Sequence, residues 1–240
     1  MTKHIRIDLP FTLLTLIDND FCAITARPSM GKTLYAMNTI KENSVIGKNR
    51  CLAFFVGNNK KAIYNLKLYR EFTKHENINI FSMNFGRGDA FLFDLKRLVR
   101  DVNPDYVIID GFEKLFKQYE IDLKLTPEVD QLLSDIRILS DEKKIPIIIT
   151  THILSTAELR ITPPKPMLCD LGSNTLESTV DLILGLNSLY YYGYGLNSEG
   201  HDISKTTELH QLKPWRYELE PYTFRLGKEI RDYTPKEQRR

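Results

Sequence analysis

Short apolar segments alternate with longer amphipathic ones along most of this chain. Five segments of strand length are apolar almost throughout: FCAITA (21–26), RCLAFFVG (50–57), INIFSM (78–83), YVIID (106–110) and IPIIITTH (145–152). Continuous apolar runs of this length are typical of parallel strands buried on both faces. Between them, apolar residues recur three or four positions apart, which predicts helices. The alternation therefore predicts an α/β fold in which helices cover both faces of a mostly parallel sheet.

The C-terminal part of the chain has a different pattern. VDLILGL (180–186) predicts one more buried strand. After it come SLYYYGYG (188–195), TTELHQLKPWRYELE (206–220) and YTFRLG (222–227), which are rich in aromatic and β-branched residues and predict antiparallel strands. We expect the tyrosines of 188–195 to form a hairpin that covers the sheet, rather than a platform on which nucleic-acid bases stack.

Composition narrows the class of protein without identifying it. The chain has 240 residues, 42% of them hydrophobic and 27% charged, as in ordinary globular proteins. Its net charge of +2 does not by itself indicate binding of nucleic acid. Its three cysteines, Cys22, Cys51 and Cys169, have no C-x-x-C spacing, which argues against a zinc site and a disulfide scaffold. No segment has the pattern of a signal peptide or a membrane span. We expect a soluble, cytoplasmic protein without a membrane partner.

One stretch has the pattern of a phosphate-binding loop. ITARPSMGKTLYAM (24–37) lies between a predicted strand and a predicted helix. It matches G-x-x-x-x-G-K-[ST] except that Ala26 replaces the first glycine, and a methyl group is the smallest possible addition there. The alternative is a plain strand-to-helix turn with a surface lysine. The predicted nucleotide-binding residues are Ala26, Arg27, Pro28, Ser29, Met30, Gly31, Lys32 and Thr33.

The order strand, loop and helix explains why these residues suit a nucleotide. It directs backbone N–H groups and a helix N-terminus at an anion. Lys32 would reach the terminal phosphates, and Thr33 would be a ligand of Mg²⁺. Asp110 ends the apolar strand YVIID, and carboxylates at such strand ends face the ligand crevice of a parallel sheet. We therefore expect Asp110 to assist in holding the magnesium, so the implied cofactors are ATP and Mg²⁺.

Several segments together resemble the ATPase domain of DnaB-type replicative helicases, a RecA-like family in which alanine is usual at the first position of the loop. The resemblance rests on ARPSMGKT (26–33), VIID (107–110), KIPIIITTHILS (144–155), KPMLCDLGSNTLESTVDLILGL (165–186) and HQLKPWR (210–216). It covers roughly residues 21–226 in order. It implies a RecA-like P-loop NTPase fold with C-terminal antiparallel strands, self-association into a ring (a hexamer in this family) and action on single-stranded DNA in replication.

The resemblance also implies roles for single residues. His152 falls where the family senses the γ-phosphate, so the implied catalytic residues are Lys32, Asp110 and His152; a hydrogen-bonded strand-end histidine is the alternative. Lys213 and Arg216 correspond to a pair that reaches the neighbouring subunit's nucleotide, although they are also readable as an exposed pair on an edge strand. The loop that faces DNA in the family maps to Gly172, Ser173 and Asn174.

The departures from the family pattern concern catalysis. Gly57 stands where the family has the glutamate that activates water, and Glu113, three residues after Asp110, is a candidate substitute. The K-x-R pair is one residue wider here, and Gly172 and Ser173 replace an arginine and a glutamate. We expect the family's N-terminal domain to be absent. The expected organisation is an N-terminal extension (1–20), a RecA-like ATPase domain (21–227) and a charged flexible tail (228–240).

Three functions are compatible with this sequence. The first is an ATP-driven, DnaB-like helicase domain acting on single-stranded DNA. The second, favoured by Gly57, is a nucleotide-binding homologue that hydrolyses slowly and serves as a regulator, loader or structural partner of a replicative helicase. A small-molecule P-loop kinase, the third, leaves the C-terminal resemblance unexplained. A viral, plasmid or bacterial origin fits the helicase-like organisation.

Overall fold

A computed structural model describes most of the chain. The described residues are 5–10, 12, 14–57, 67–83, 88–116, 127–154, 165–171, 174–196, 200, 202, 206–213 and 222–225. The strands are β1 Arg6–Asp8, β2 Thr15–Ile17, β3 Phe21–Ala26, β4 Cys51–Val56, β5 Ile78–Met83, β6 Tyr106–Asp110, β7 Ile147–His152, β8 Leu182–Asn187, β9 Thr206–Lys213 and β10 Tyr222–Arg225. The α-helices are α1 Lys32–Ile40, α2 Lys67–Phe72, α3 Gly88–Val102, α4 Pro127–Lys143 and α5 Asn174–Thr179. A π-helical segment, Lys41–Ile46, continues α1, and 3₁₀ turns cover Phe112–Leu115, Leu168–Leu171 and Leu189–Tyr192.

The main sheet has the strand order β10-β9-β8-β3-β7-β6-β4-β5 within the described residues. The six strands from β8 to β5 run parallel, whereas β9 and β10 are antiparallel to their neighbours. Parallel neighbours need crossover connections, and the helices between successive strands supply them. The α/β fold with a mostly parallel sheet and C-terminal antiparallel strands, as predicted from the apolar pattern, is confirmed.

The core has two halves, one on each face of the sheet. Side chains of a strand alternate between faces, so Cys22 and Ile24 of β3 lie in one half, whereas Phe21 and Ala23 lie in the other. The first half is covered by α1 and by the end of α2, and the second by α3, α4 and α5. Burial on both faces explains why these strands are apolar throughout instead of alternating.

Residues near the N-terminus form a small sheet of their own. Strands β1 and β2 pair antiparallel, and their side chains Ile7 and Leu16 are fully buried in the half of the core that contains α1. The side-chain amide of Asn43 accepts a hydrogen bond from the backbone N–H of Asp8 and donates one to its carbonyl. The segment predicted as an N-terminal extension therefore contributes to the core of the domain.

One predicted element is wrong. Residues 188–195 do not form a hairpin: Leu189–Tyr192 is a 3₁₀ turn that ends at Gly193, whose φ is +88°. Of the tyrosines there, Tyr190, Tyr191 and Tyr194 are exposed, at 54%, 45% and 41%, whereas Tyr192 packs against the core. The reason is that β8 already pairs with β3 on one side and β9 on the other, which leaves no free strand edge for the segment to join.

Other predictions fall partly or wholly outside the described residues. Residues 58–66, between β4 and α2, and the tail 228–240 lie beyond the described part. Among the helices that the structure describes, none combines the length and the apolar character that crossing a membrane requires.

Candidate nucleotide-binding site

The polar residues singled out in the sequence meet at the carboxyl edge of three adjacent strands. In the sheet β7 lies between β3 and β6, with Ala26 in register with His152 and Asp110 in register with Thr150. The loop that follows Ala26 therefore begins beside His152 and one strand away from Asp110. The carboxyl edge of an open parallel sheet is where such folds bind ligands.

The loop after β3 has the backbone shape of an anion site. Ser29 and Gly31 both have positive φ, +64° and +93°, and α1 begins directly afterwards at Lys32. Left-handed residues within a tight turn form the concave arrangement of N–H groups that binds phosphates. Met30 between them is 2% exposed and anchors the loop to the core. The loop and the helix N-terminus thus form a preorganised cradle for an anion.

Ala26 does not impair this cradle. It is the last residue of β3, is fully buried, and belongs to the half of the core that contains α1. Its carbonyl accepts a hydrogen bond from the N–H of Ile153 at 3.2 Å. Because the backbone is still that of a strand here, the conformational freedom of glycine is not required.

Lys32 is folded back onto the loop. Its Nζ donates hydrogen bonds to the carbonyls of Ala26, at 2.9 Å, and Arg27, at 3.1 Å, and the residue is only 8% exposed. Burial lowers the pKa of Lys32 to about 8, against the opposing effect of the nearby Glu113 and Asp110 carboxylates. A buried ammonium held by two neutral carbonyls is suited to exchange them for phosphate oxygens.

Asp110 joins the phosphate loop to the strand end. Its Oδ2 accepts a hydrogen bond from the Thr33 hydroxyl at 2.7 Å, and its Oδ1 accepts one from the Thr150 hydroxyl at 2.6 Å. The hydroxyl and carboxylate that the sequence predicts as magnesium ligands are therefore in contact. Oxygen donors of this kind, few in number, fit Mg²⁺, which keeps several waters and takes phosphate oxygens as further ligands.

Thr150 is a residue that sequence reasoning missed. Besides its bond to Asp110, its hydroxyl oxygen accepts a hydrogen bond from the N–H of Gly111 at 2.9 Å. It thereby fixes both the carboxylate and the turn that follows it. The available signal was the polar pair of threonines, Thr150 and Thr151, at the end of an otherwise apolar strand.

Glu113 lies within the same site. It belongs to the 3₁₀ turn after β6, is 2% exposed, and has its Oε1 3.3 Å from Nδ1 of His152. Burial raises the pKa of Glu113 to about 7, although the charge of Lys32 acts in the opposite direction. Burial, aided by the positive charges of Lys32, Lys114 and Arg27, lowers the pKa of His152 to about 3, so this imidazole is neutral at neutral pH.

The end of β4 offers no such group. Gly57 follows the strand with φ +63°, and its N–H donates to the carbonyl of Met83 on β5 at 2.8 Å. On its other side β4 pairs with β6, since Phe55 is in register with Asp110. The position at which the resembled family has its glutamate therefore borders the site, but it has no side chain.

Of the residues predicted for a partner subunit and for DNA, the structure describes Lys213 and Asn174. Nζ of Lys213 donates to the carbonyls of Glu177, at 2.7 Å, and Val180, at 2.5 Å, at the C-terminal end of α5. Lys213 is not on an edge strand, because β9 lies between β8 and β10. Asn174 is exposed at the start of α5, whereas the finger candidate Arg216 and the loop residues Gly172 and Ser173 lie outside the described residues.

The sheet order and the strand-loop-helix cradle define a RecA-like P-loop fold, as found in the ATPase domains of DnaB-like helicases. A DnaB-like replicative helicase, studied with its interactions with primase, superposes with a TM-score of 0.69 at 21% identity. The match covers 88% of this chain and 56% of that one, so this chain spans little more than half the helicase's length.

Two other solved structures share the fold over most of their length. One is a separately solved ATPase domain, with a TM-score of 0.69 and 21% identity over 91% of this chain and 85% of that one. The other is a KaiC-like protein from Pyrococcus horikoshii, with a TM-score of 0.60 and 15% identity over 89% and 88%. No protein-family model matches the sequence, and no curated protein matches it.

Proposed function

We propose that this chain binds Mg-ATP in the cradle formed by the phosphate loop and the end of β6. The observation that carries the proposal is the contact between Thr33 and Asp110, at 2.7 Å, beside the buried ammonium of Lys32. A hydroxyl and a carboxylate that meet at the start of a helix are what a magnesium-bound triphosphate requires. An ordinary strand-to-helix turn would have no reason to bury an ammonium and a carboxylate beside the Thr33 hydroxyl.

In this proposal each residue has a separate task. The loop backbone and Lys32 bind the phosphates, and Thr33 and Asp110 hold the ion. Bound Mg²⁺ would stabilise negative charge on the phosphate oxygens. His152, at the end of β7 next to Ala26, is the candidate sensor of the terminal phosphate.

We further propose that the domain works as a DnaB-like helicase ATPase, in a ring and on single-stranded DNA. The support is the shared fold with a DnaB-like replicative helicase together with the sequence resemblance in segments remote from the loop. Lys213 and Arg216 remain the candidates for completing a neighbouring subunit's site. Lys213 is in register with Ile183, near the amino-terminal end of β8 and therefore away from the edge of the sheet that carries the phosphate loop. Any contact of Lys213 with nucleotide would then be with the nucleotide of another copy of the chain.

Nucleotide binding is tested with a fluorescent ATP analogue on the full chain, in the presence of Mg²⁺. Lys32→Ala is expected to weaken binding roughly 10- to 100-fold, since a charge-assisted hydrogen bond to phosphate contributes about 1.5–3 kcal/mol. Lys96→Ala, which removes an equal charge from an exposed position on α3, should have no effect. Equal binding by wild type and Lys32→Ala would contradict the proposal.

A second candidate function is that of a regulator, loader or structural partner of a replicative helicase that hydrolyses ATP poorly. Gly57, at the position of the family's glutamate, favours it. Steady-state hydrolysis with and without single-stranded DNA separates the two functions. Turnover that DNA stimulates and that Lys32→Ala abolishes would contradict the regulator, whereas tight binding without turnover would contradict the helicase.

A further inference from the structure

We propose that Glu113 is the general base of this site, in place of the glutamate that is missing at Gly57. The inference rests on the proposed binding of Mg-ATP and adds to it the residue that activates water. Three features of the described structure carry it: the turn that aims Glu113, the burial of its carboxylate, and the groups that surround it.

The first feature is the turn after β6. Gly111 has φ +81° and directs the chain from the strand into the 3₁₀ turn Phe112–Leu115. Residues three apart share one side of a 3₁₀ turn, and Phe112 and Leu115 on that side are buried in the core at 4% and 1% exposure. Glu113 is therefore directed to another side, where it meets His152 at the end of β7. The core fixes the turn, and the turn fixes the carboxylate.

The second feature is an unsatisfied buried carboxylate. Within the described residues, neither oxygen of Glu113 accepts a hydrogen bond of ordinary geometry, although the side chain is fully buried. Leaving a buried polar group without a partner costs about 1–3 kcal/mol, and more for a charge. A leucine at this place would avoid the cost. An unsatisfied buried carboxylate therefore needs an explanation, and a role in function is one.

The third feature is the set of groups around Glu113. Lys32 of the phosphate loop, Asp110 of β6, Lys114 of the same turn and His152 of β7 all lie near it. Burial among these groups brings the pKa of Glu113 to about 7, which suits a base that works near neutral pH. The imidazole of His152 packs beside the carboxylate, with its Nδ1 3.3 Å from Oε1.

The step assigned to Glu113 is the hydrolysis of ATP. The oxygen of a water molecule forms a bond to the γ-phosphorus. The bond from that phosphorus to the β,γ-bridging oxygen breaks, and its electron pair stays with the ADP leaving group. A proton of the water passes to a carboxylate oxygen of Glu113, so atoms and charges balance and the products are ADP and inorganic phosphate.

The test compares Glu113→Gln with wild type in two measurements on the full chain. Turnover should fall by about 10²-fold or more, because a positioned base contributes about 10²–10⁴-fold. The affinity for the fluorescent ATP analogue should change less than about 3-fold, because a general base stabilises the transition state and contributes little to the binding of nucleotide. Glu76→Gln, a matched change at an exposed position before β5, should alter neither measurement.

Further readouts separate a catalytic role from a structural one. Glu113→Gln should unfold at the same temperature as wild type or a higher one, and Glu113→Asp should regain part of the turnover. The pH profile of wild-type turnover should show one group with an apparent pKa near 7 that Glu113→Gln lacks. A parallel loss of stability, binding and turnover in Glu113→Gln would show that the residue is structural and would overturn the inference.

The remaining outcomes are also decisive. Unchanged turnover in Glu113→Gln would overturn the inference and leave the proposed Mg-ATP binding intact. Wild type that binds the analogue but does not hydrolyse ATP would have the same consequence, because a base without a reaction has no role. Wild type that binds no nucleotide would overturn both this inference and the proposed function.

Discussion

The ends of β4 and β6 are neighbours in the sheet, and they differ in what they contribute to the site. After β4 the chain turns at Gly57, which has positive φ and no side chain. After β6 it also turns at a glycine of positive φ, Gly111, but here Asp110 precedes the turn and Glu113 follows it. Both acidic groups of the site therefore come from one strand end.

In our proposal, a catalytic carboxylate has changed its place in the sequence without leaving the site. The carboxyl edges of adjacent parallel strands are about 5 Å apart, so side chains from either strand reach the same crevice. The effect of a carboxylate on a phosphate at this edge depends on the position of the carboxylate, whichever strand it belongs to. Three predictions test whether the end of β6 has in fact taken over from the end of β4.

The largest effect is expected for Gly111→Ala. An alanine at φ +81° is strained by about 1–2 kcal/mol. Its Cβ would also lie 3.0 Å from the backbone carbonyl oxygen of Val56, a crowding that typically adds about 1–3 kcal/mol. We expect a loss of about 2–5 kcal/mol in the free energy of unfolding, measured by urea denaturation. Turnover should fall at least about 10-fold, because a shift of the turn displaces Glu113.

Gly193→Ala serves as the control for this change. Gly193 has a similar φ of +88°, but among the described residues nothing lies within 4 Å of the Cβ it would gain. This variant should show the backbone strain alone and keep its turnover. If Gly111→Ala were no more harmful than Gly193→Ala, the turn after β6 would not be the element that fixes the site.

The second prediction concerns the pH dependence of stability. Because the pKa of Glu113 is raised from 4.5 to about 7 in the folded protein, the folded state binds the proton more tightly than the unfolded state. The stability that this proton binding contributes is complete below pH 4.5 and is lost as the pH rises to about 7. Glutamine does not titrate, so Glu113→Gln does not lose stability in this way. The free energy of unfolding of Glu113→Gln minus that of wild type should therefore increase from about pH 5 to about pH 7.5.

The size of this effect is about 3 kcal/mol, since raising the pKa from 4.5 to about 7 corresponds to about 1.4 kcal/mol for each pH unit. The measurement is the difference in unfolding free energy between wild type and Glu113→Gln at several pH values. Glu113→Gln also removes a carboxylate that raises the pKa of Lys32, so the difference reports the Glu113–Lys32 pair rather than Glu113 alone. A difference that does not vary with pH would mean that Glu113 is already ionised throughout this range.

The smallest effect is expected at Gly57. Gly57→Ala and Gly57→Glu both place a side chain at φ +63° and should each cost about 1–2 kcal/mol in unfolding free energy. Neither should change turnover more than about 2-fold if Glu113 is the base. An increase of about 10-fold or more in Gly57→Glu would show that the end of β4 is still the catalytic position and that the site lacks only its side chain.

Sequence reasoning was most successful where a signal is local. Strand β3, the phosphate loop and α1 follow one another directly, so the anion cradle is visible without knowledge of the rest of the fold. The apolar run of β6 ending in Asp110 was equally clear, and the contact of Asp110 with Thr33 agrees with the predicted magnesium site. For Glu113 the sequence offered only its spacing from Asp110.

Prediction failed where the outcome depends on remote partners. Residues 188–195 have the composition of a hairpin, but both edges of β8 are occupied, and no local pattern reports that. Lys213 was interpreted as a finger for a neighbouring subunit or as an exposed group on an edge strand. Its contacts with the end of α5 depend on residues more than thirty positions earlier in the chain, and they leave the predicted finger role untested.

The sequence by itself determined that this protein has a parallel sheet, a tight strand-loop-helix turn and a strand-end carboxylate, because apolar runs and a short loop motif are local signals of burial and backbone shape. Only the tertiary structure decided which side chains share the site. The parallel order of β3, β7 and β6 brings Lys32, Thr150, His152 and Glu113 together from positions far apart in the chain. The physical reason is that proximity at a sheet edge is set by strand order, which no stretch of sequence contains.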